Sequence, residues 1–275
     1  MVNNKAYRKK HIVVFGGARG IGKTVAEMFA AVGADVTIVS RSAVDVAAAV
    51  EELGVQGDVA DITDVGAVER VFAAAAPVDA VINTAAIQGG AGAIGPIWST
   101  ELSAVRQVID INLFGSFVIL RTALAHMREI GNGVVILFSG GGAAGPRPGV
   151  DAYGAAKTGV LRLVESAQAA LDEEDSQVRV FAVAPGAVAT AMIRELIDNA
   201  VVVPGEADVA NRIVAGEDGV PSTMAADLCQ FLMLPEARPL AGRLVHVKET
   251  YRDYTERDLT PDDGRLRRVD YASRS

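Results

Sequence analysis

Short apolar runs alternate with helical segments from near the start of the sequence to about residue 250. The runs HIVVF and DVTIVS are short and rich in β-branched residues, which is typical of strands. Between them Val25, Phe29 and Val32 recur at helical spacing, and Gly33 is placed to end that helix. Strands that alternate with helices run parallel and connect through right-handed crossovers. The pattern predicts an α/β fold with one doubly wound, Rossmann-like parallel sheet and helices on both faces.

Later segments continue the same alternation. VDVAAAVEEL predicts a helix, VQGDV a short strand and DAVINTA a buried strand, and a long helical stretch then precedes the strand GVVILFS. A further helix opens at about Tyr153, and VRVFAVAPG and RLVHVK supply the last strands. Because no break in composition marks a second domain, we expect one domain over residues 1–250 and a charged extension over residues 251–275. The extension keeps Tyr, Leu and Val among its charges, which fits either a flexible end or an arm that packs on a neighbouring subunit.

Charge and cysteine content exclude several classes of function. A net charge of −8 over 275 residues, with no run of Lys and Arg, argues against a nucleic-acid partner. The sequence has neither a secretory signal nor the ~18 unbroken apolar residues of a membrane span. The single cysteine, Cys229, lies in an apolar run and is predicted to be a core residue. We therefore expect a soluble protein of the reducing cytoplasm, with no membrane or metal partner.

The segment FGGARGIG follows the first predicted strand and opens the first predicted helix. Gly16, Gly20 and Gly22 let the backbone turn sharply and approach a ligand that side chains would block. The N-terminus of the helix then offers free N–H groups and a positive dipole end to a pyrophosphate. In this context of strand, turn and helix, the glycines predict a dinucleotide site.

Tyr153 and Lys157 are one helical turn apart, so their side chains leave the helix on the same face. A free tyrosine has a pKa near 10 and is a poor base at neutral pH. A nearby ammonium stabilises the phenolate and lowers that pKa, which allows the hydroxyl to exchange a proton with an alcohol or a ketone. The spacing alone is common among surface residues, but its position after the fifth strand, with the glycine loop upstream, predicts an acid–base pair.

Taken in chain order, these motifs resemble the short-chain dehydrogenase/reductase family over roughly residues 10 to 250. The matching stretches are GGARGIG, GDVAD, INTAA, INLFGSF, YGAAK, APGAVAT and GRLVHV. The resemblance implies an NAD(P)-dependent oxidoreductase that interconverts a secondary alcohol and a ketone. A dehydratase or epimerase with transient hydride transfer, or a catalytically weak dinucleotide-binding regulator, is the alternative. The family also implies a homotetramer, and small and apolar residues on more than one face of LFGSFVILRTALAHM suit burial against a partner.

The resemblance also assigns roles to single residues. Tyr153 becomes the general acid/base, and Lys157 tunes it and holds the nicotinamide ribose. Asn112 holds a water of the proton relay, or else bonds locally to the backbone. Asp58 and Val59 flank the adenine. The remaining matches, assigned to contact the cofactor, are Gly16, Arg19, Gly20, Ile21, Gly22, Asn83, Ala85, Pro185, Gly186, Val188 and Thr190.

One departure concerns the group that faces Tyr153. Family members usually carry two serines after the fifth strand, and the second lies thirteen residues before the tyrosine, where this sequence has Gly140. A second alignment matches Ser139, Gly142 and Gly145 to the family's Ser-x-x-Gly-x-x-Gly, with one extra residue before Pro148, and both alignments stay open. A ketone needs a hydrogen-bond donor on its oxygen as negative charge develops there. Ser139 is our first candidate for that donor, and the backbone N–H groups of Gly140 or Gly141 are the second.

The end of the second strand bears on cofactor choice. In this architecture an acidic residue there holds the ribose 2′-hydroxyl of NAD and repels the 2′-phosphate of NADP. Here the position reads Ser40, and Arg41 follows it. A guanidinium can bind a phosphate through paired hydrogen bonds, and Arg19 can reach the same group. The sequence predicts NADP(H), with NAD(H) as the alternative if Arg41 merely points into water.

The predicted substrate is a small alcohol or ketone, with a polyol, sugar-like or cyclic compound as the working hypothesis. IQGGAGAIGPIW and the segment from Met192 to about Gly219 are expected to border it, the latter as a mobile lid. Gln88, Trp98 and Arg147 are candidate polar contacts. The usual Gly-Gly near the last strand is missing, which puts the family's usual substrates in question.

Overall fold

The computed structural model describes residues 4–254 and 259–266, and within them seven parallel strands form one sheet in the order β3-β2-β1-β4-β5-β6-β7. The strands are β1 (His11–Phe15), β2 (Asp35–Ser40), β3 (Gln56–Val59), β4 (Ala80–Asn83), β5 (Asn132–Phe138), β6 (Gln177–Ala184) and β7 (Leu244–His246). This arrangement confirms the predicted doubly wound α/β fold.

Helices connect the strands and cover both faces of the sheet. They are α1 (Gly20–Ala31), α2 (Ala43–Leu53), α3 (Val65–Ala75), α4 (Gly90–Ala93), α5 (Leu102–Ile109), α6 (Gly115–Ile130), α7 (Gly141–Ala144), α8 (Asp151–Glu173), α9 (Ala191–Asp198), α10 (Pro204–Val214) and α11 (Ser222–Met233).

Alternation along the strands divides the core between the two faces. In β1, Ile12 and Val14 pack with the apolar sides of α1, α2 and α11. Val13 and Phe15, which point the other way, pack with α3, α6 and α8. Because both faces of the strand are buried, its sequence is a continuous apolar run rather than an alternating one.

Cap residues fix where the helices on the two faces begin. The hydroxyl of Ser42 accepts the backbone N–H of Asp45 at the start of α2, and the carboxylate of Asp64 accepts that of Ala67 at the start of α3. Gly54 ends α2 in the left-handed region, with φ of 67°. Local sequence thus sets the ends of these helices.

The strand order creates a crevice at one edge of the sheet. β1 pairs with β2 on one side and with β4 on the other, so the connections leave β1 and β4 in opposite directions. At such a switch point the loops at the carboxyl ends of the strands diverge and leave room for a ligand. The glycine segment after β1 and residues 84–89 after β4 therefore face each other.

A long helical stretch, Leu102–Ile130, crosses one face of the sheet. By length and composition it is apolar enough to span a membrane, and half of its most apolar window is buried in the fold. Val118, Ile119 and Met127 lie in the core, which is the behaviour of a core helix in an α/β protein. Asp110–Phe114 forms a π-helical turn within the stretch, between α5 and α6.

The C-terminal extension packs against the rest of the chain where it is described. Over residues 251–254 and 259–266 it packs on its own domain, because its apolar residues find a surface there. The ring of Tyr251 lies 5.3 Å from that of Phe231. The N–H of Leu244, in the edge strand β7, donates to the carbonyl of Gly264. These parts cover a sheet edge that could otherwise pair with another chain; residues 255–258 and 267–275 lie outside the described range.

Candidate active site

A cleft of about 430 Å³ opens at the carboxyl ends of the strands, at the predicted switch point. A wider groove of about 620 Å³ lies at the opposite edge, beside Asp35 at the amino end of β2, and is remote from Tyr153. The predicted residues that line the cleft are Gly16, Arg19, Gly20, Ile21, Gly22, Ser40, Arg41, Ala85, Ser139, Tyr153, Lys157, Pro185 and Thr190.

The glycine loop has the geometry of a dinucleotide cradle. Gly16 adopts φ of +77°, and a Cβ placed there would lie 2.6 Å from Thr84 Oγ1. A Cβ on Gly22 would lie 2.3 Å from the carbonyl oxygen of Gly16. Arg19, at the N-cap of α1, makes no capping hydrogen bond with its side chain, which leaves the first N–H groups of the helix to a ligand. The residues present therefore fit the pyrophosphate of a nicotinamide dinucleotide.

Thr84 supports this loop from beneath, a role that the sequence did not indicate. Its hydroxyl donates to the carbonyl of Phe15 at the end of β1, at 2.9 Å. The small residues Gly16 and Gly22 pack against that hydroxyl. The threonine hydroxyl therefore fits beneath the loop because glycines stand at the two positions that it contacts.

The end of β2 brings together the residues predicted to select the cofactor. The hydroxyl of Ser40 accepts the backbone N–H of Ala18 at 3.3 Å. Arg41 is exposed at the cleft and makes no ion pair within the part of the chain that the structure describes. Asp45, one helical turn later, also lines the cleft, and the sequence reasoning did not include it.

Other predicted cofactor residues lie beside the cleft rather than on its wall. After β3 the wall is formed by Ala60, Asp61 and Ile62, while the carboxylate of Asp58 accepts the N–H of Val59 at 2.7 Å. The wall thus begins just past these two residues, where the chain has left β3.

Asn83 braces the strand that it ends. It is buried, its amide donates to Ser116 Oγ at 3.1 Å, and its oxygen accepts the N–H of Ala85 at 3.1 Å. Gly186 and Val188 follow β6 next to the lining residue Pro185. A Cβ on Gly186 would lie 2.8 Å from Val220, so this glycine is required by packing.

Tyr153 and Lys157 lie side by side in the first turns of α8. Lys157 is 2% exposed, and its ammonium donates to the carbonyl of Phe138 at 2.8 Å. Its nitrogen stands 5.7 Å from the centre of the Tyr153 ring. The helix therefore delivers the predicted pair to the end of β5.

Burial perturbs both groups. It lowers the pKa of Lys157 to about 8. It raises the pKa of the Tyr153 hydroxyl, and the guanidinium of Arg147 partly offsets that rise. The net direction for Tyr153 corrects the expectation of a lowered pKa, because removing the phenolate from water outweighs the nearby positive charge in the ligand-free protein.

Gly140, rather than Ser139, faces the hydroxyl of Tyr153. A Cβ built on Gly140 would lie 3.3 Å from that hydroxyl. Ser139 is 3% exposed, and its own hydroxyl donates to the carbonyl of Lys157 at 3.0 Å. The position-for-position match that placed Gly140 at the second serine therefore agrees with the geometry, while Ser139 is engaged with the helix.

Gly142, another of the three consecutive glycines, lies where a side chain would not fit. A Cβ there would lie 2.7 Å from the α-carbon of Gly154, so two glycines are in contact where this segment crosses α8. The close approach holds the segment against the helix that carries Tyr153.

Asn112 lies in the π-helical turn and is fully buried. Its amide donates to the carbonyl of Ile87 at 2.7 Å, and its oxygen accepts the N–H of Ile87 at 3.0 Å. The side chain thus bonds to the backbone of a segment 25 residues away, rather than to its own helix, and its role in the proton relay stays a prediction. The contact anchors Ile87, which lines the cleft just after β4.

A clasp of three segments encloses the site next to Tyr153. The N–H of Gly95 donates to the carbonyl of Gly149 at 2.8 Å, and a Cβ on Gly149 would lie 2.3 Å from Val203. Arg147 pairs with Glu206 in the first turn of α10, and both side chains are mostly buried. We call this contact of Gly95, Gly149, Val203, Arg147 and Glu206 the clasp.

Apolar side chains pack around Tyr153. Trp98 is 88% exposed and takes no part in this packing. Within the described chain, three or more His, Cys, Asp or Glu side chains do not meet as a metal site would require. The cluster that buries Tyr153 contains Ala93, Ile94, Val108, Val150, Leu196, Val203 and Ala210, with Ala86, Ile87 and Met192 packed against it.

The comparisons with known proteins agree with this geometry. Residues 10–200 match the family model described as short chain dehydrogenase. Cis-4-hydroxycyclohexanecarboxylate dehydrogenase of Sinomonas cyclohexanicum is 34% identical over 200 residues, which cover 70% of this chain and 78% of that protein. 2,5-Dichloro-2,5-cyclohexadiene-1,4-diol dehydrogenase of Sphingobium indicum is 34% identical over 199 residues, 69% of this chain and 77% of that protein.

A solved structure extends the likeness to the fold. The crystal structure of levodione reductase superposes with a TM-score of 0.75 at 26% identity, over 87% of this chain and 96% of that one. The family model, the relatives and the structural neighbour all point to the same family. The chain belongs to the short-chain dehydrogenase/reductase family and is an NAD(P)-dependent enzyme that acts on a CH–OH group.

Proposed function

We propose that this protein reversibly oxidises a secondary alcohol to a ketone, with Tyr153 as the general acid/base. The observation that carries the proposal is the placement of Tyr153 in the dinucleotide cleft, beside a buried Lys157 and next to the apolar lining residues Ala86, Ile87 and Met192. When bound, the nicotinamide cofactor accepts the hydride that leaves the carbinol carbon, or returns it to the ketone.

The chain's own residues handle the proton. In the oxidation direction the alcohol O–H bond breaks and its proton passes to the phenolate of Tyr153, while the C–H electron pair leaves as hydride and the C=O bond forms. In reduction Tyr153 returns the proton to the oxygen. Lys157 holds its position through Phe138 and supplies positive charge next to the phenolate.

The second hydrogen bond to the substrate oxygen is assigned to backbone N–H groups of residues 140–142. This choice replaces Ser139, our first candidate from sequence, because the hydroxyl of Ser139 donates its hydrogen bond to the backbone carbonyl of Lys157. Replacing Ser139 by Ala tests it. We expect kcat to stay within a few-fold of wild type, whereas removing an oxyanion donor costs ~10²-fold or more.

For the cofactor, the proposal is a preference for NADP(H). Its support is Arg41, exposed at the cleft without an ion pair in the described chain, and Ser40 in place of an acidic residue. Asp45 also lines the cleft and opposes a phosphate at close range. The guanidinium groups of Arg19 and Arg41 outweigh that single carboxylate.

For the substrate, the proposal is a secondary alcohol on a six-membered ring, or the matching ketone. Two relatives at 34% identity are named for a hydroxycyclohexanecarboxylate and for a cyclohexadienediol. The cleft beside Tyr153 is lined by Ala86, Ile87 and Met192, whose apolar side chains suit the hydrocarbon part of such a ring. A polyol with hydroxyls on every carbon would meet few partners there.

We also propose a homotetramer in the cytoplasm. Phe114 and Phe117, at the start of α6, are 46% and 48% exposed, which suits burial against another copy. Cys229 is buried and unpaired, in keeping with a reducing compartment. A species of 28.6 kDa at micromolar concentration in sedimentation would contradict the tetramer.

Screening a panel of secondary alcohols and ketones by the absorbance of the reduced nicotinamide tests the activity. Net oxidation of an alcohol with matching cofactor reduction supports the proposal. Product formed without net change in cofactor absorbance would favour a dehydratase or epimerase instead. The absence of any turnover would favour a dinucleotide-binding regulator.

A further inference from the structure

Gln88 differs from the other buried glutamines of the described chain. Gln88, Gln168 and Gln230 are 2%, 1% and 3% exposed, respectively. The side-chain oxygen of Gln168 accepts the N–H of Val180, and the amide of Gln230 donates to Met28. Among the described residues, Gln88 Oε1 is a buried acceptor that receives no hydrogen bond. A buried amide oxygen without a hydrogen bond lowers the stability of the fold, so its presence calls for an explanation.

The place of Gln88 in the chain connects it with the active site. The preceding residue, Ile87, lines the cleft and is fixed at both its N–H and its carbonyl by Asn112. Ala93 and Ile94, which follow it, pack in the same apolar cluster as Tyr153. The unpaired amide oxygen therefore belongs to the short segment that connects Ile87, on the wall of the cleft, with the apolar cluster around Tyr153.

The surroundings of that segment also matter. The side chains that pack against it are apolar, and the clasp ties its far end, at Gly95, to Gly149. In an apolar enclosure a polar group without a partner stays costly, and a ligand donor that reaches it gains a well-defined bond. Sites built to bond a substrate hydroxyl discriminate strongly against analogues that lack it.

We propose that Gln88 is a specificity-determining residue whose amide oxygen accepts a hydroxyl of the substrate other than the one that is oxidised. The substrate is then a mostly apolar ring that carries a second hydroxyl, so a cyclic diol or a hydroxyketone. This inference rests on the proposed alcohol oxidation and adds the second polar group to it.

Binding rather than turnover tests the inference. The probes are cyclohexanol and its 1,2-, 1,3- and 1,4-diols, titrated into the protein with reduced nicotinamide cofactor, so that the alcohols bind without being oxidised. We expect at least one diol to bind the wild type about tenfold or more tightly than cyclohexanol. Gln88→Leu should weaken the binding of that diol by about ten- to a hundredfold and change the affinity for cyclohexanol less than threefold.

Thermal unfolding without ligand separates this role from a structural one. Gln88→Leu should raise the melting temperature, because it removes an unsatisfied buried group of similar size. Gln168→Leu is the matched control: it breaks the hydrogen bond to Val180, so it should lower the melting temperature and leave the preference for the diol unchanged.

Two results would overturn the inference. In the first, the wild type binds no diol more tightly than cyclohexanol. In the second, Gln88→Leu changes the affinities for cyclohexanol and for the diol by the same factor. Selective binding of a diol without any oxidation would instead keep the inference and refute the proposed function.

Discussion

Replacing Lys157 by Met should change how the stability of this protein depends on pH. Burial lowers the pKa of Lys157 from 10.5 to about 8 in the folded chain. Each pKa unit corresponds to about 1.4 kcal/mol, so holding the charged ammonium costs the folded state about 3 kcal/mol at pH 7. Met has a similar length and no titrating group, so it removes this term. It also loses the hydrogen bond to Phe138, which is a loss that does not vary with pH.

The sign follows from proton binding. Between pH 8 and 10.5 the unfolded chain binds more protons at this lysine than the folded chain does, so wild-type stability rises with pH relative to the variant. From pH 7 to pH 9.5 the remaining cost falls to about 1 kcal/mol. The stability of the wild type minus that of Lys157→Met should therefore increase by about 2 kcal/mol over this interval.

Urea unfolding at fixed protein concentration, followed by circular dichroism at both pH values, measures this difference. The matched control is Lys248→Met, at an exposed lysine whose ammonium stays in water in both states. The stability difference between that control and the wild type should be the same at the two pH values. A difference between wild type and Lys157→Met that stays constant within about 0.5 kcal/mol would refute the assigned burial of the charge.

Three further changes test the site. Arg147→Met removes the guanidinium that lowers the pKa of Tyr153, so the pH profile of kcat/KM for alcohol oxidation should move to higher pH; an unmoved profile would contradict this electrostatic role. Ser40→Asp and Arg41→Ala should each shift the ratio of kcat/KM from NADP towards NAD by roughly ten- to a hundredfold, and equal use of both cofactors by the wild type would exclude the preference. Gly22→Ala places a Cβ 2.3 Å from a backbone oxygen and should weaken cofactor binding at least tenfold by fluorescence titration; unchanged affinity would show that the loop is not a cradle.

The sequence predicted those parts of the site that depend on local spacing. The cradle of Gly16, Gly20 and Gly22 follows a strand and opens a helix, and one helical turn separates Tyr153 from Lys157. Both relations are fixed by the regular geometry of the elements that hold them, so the fold delivers them as expected.

Contacts between distant segments were not predicted. Arg147 and Glu206 are 59 residues apart in sequence, and the periodicity of neither segment shows that they pair. The direction of the Ser139 hydroxyl depends on how closely its segment approaches α8, which the contact between Gly142 and Gly154 determines. The lack of a hydrogen bond to Gln88 Oε1 likewise depends on which side chains pack around it.

The pKa of Tyr153 illustrates the same limit in energetic terms. The sequence placed a lysine beside the tyrosine and predicted a lowered pKa. The structure adds the burial of the hydroxyl, which acts in the opposite direction and is the larger effect. The depth of a side chain depends on the whole fold, and neighbouring residues in sequence do not reveal it.

The kinetics of Tyr153→Phe test the central claim most directly. The substitution removes a hydroxyl and keeps the ring that packs with Val150 and Leu196, so the variant should fold and bind the cofactor within about threefold of wild type. With the best alcohol from the panel, kcat should fall by ~10²- to 10⁴-fold, the usual worth of general acid–base catalysis. A variant that binds cofactor normally and retains more than about a tenth of wild-type kcat would contradict the assignment of Tyr153 as the acid/base.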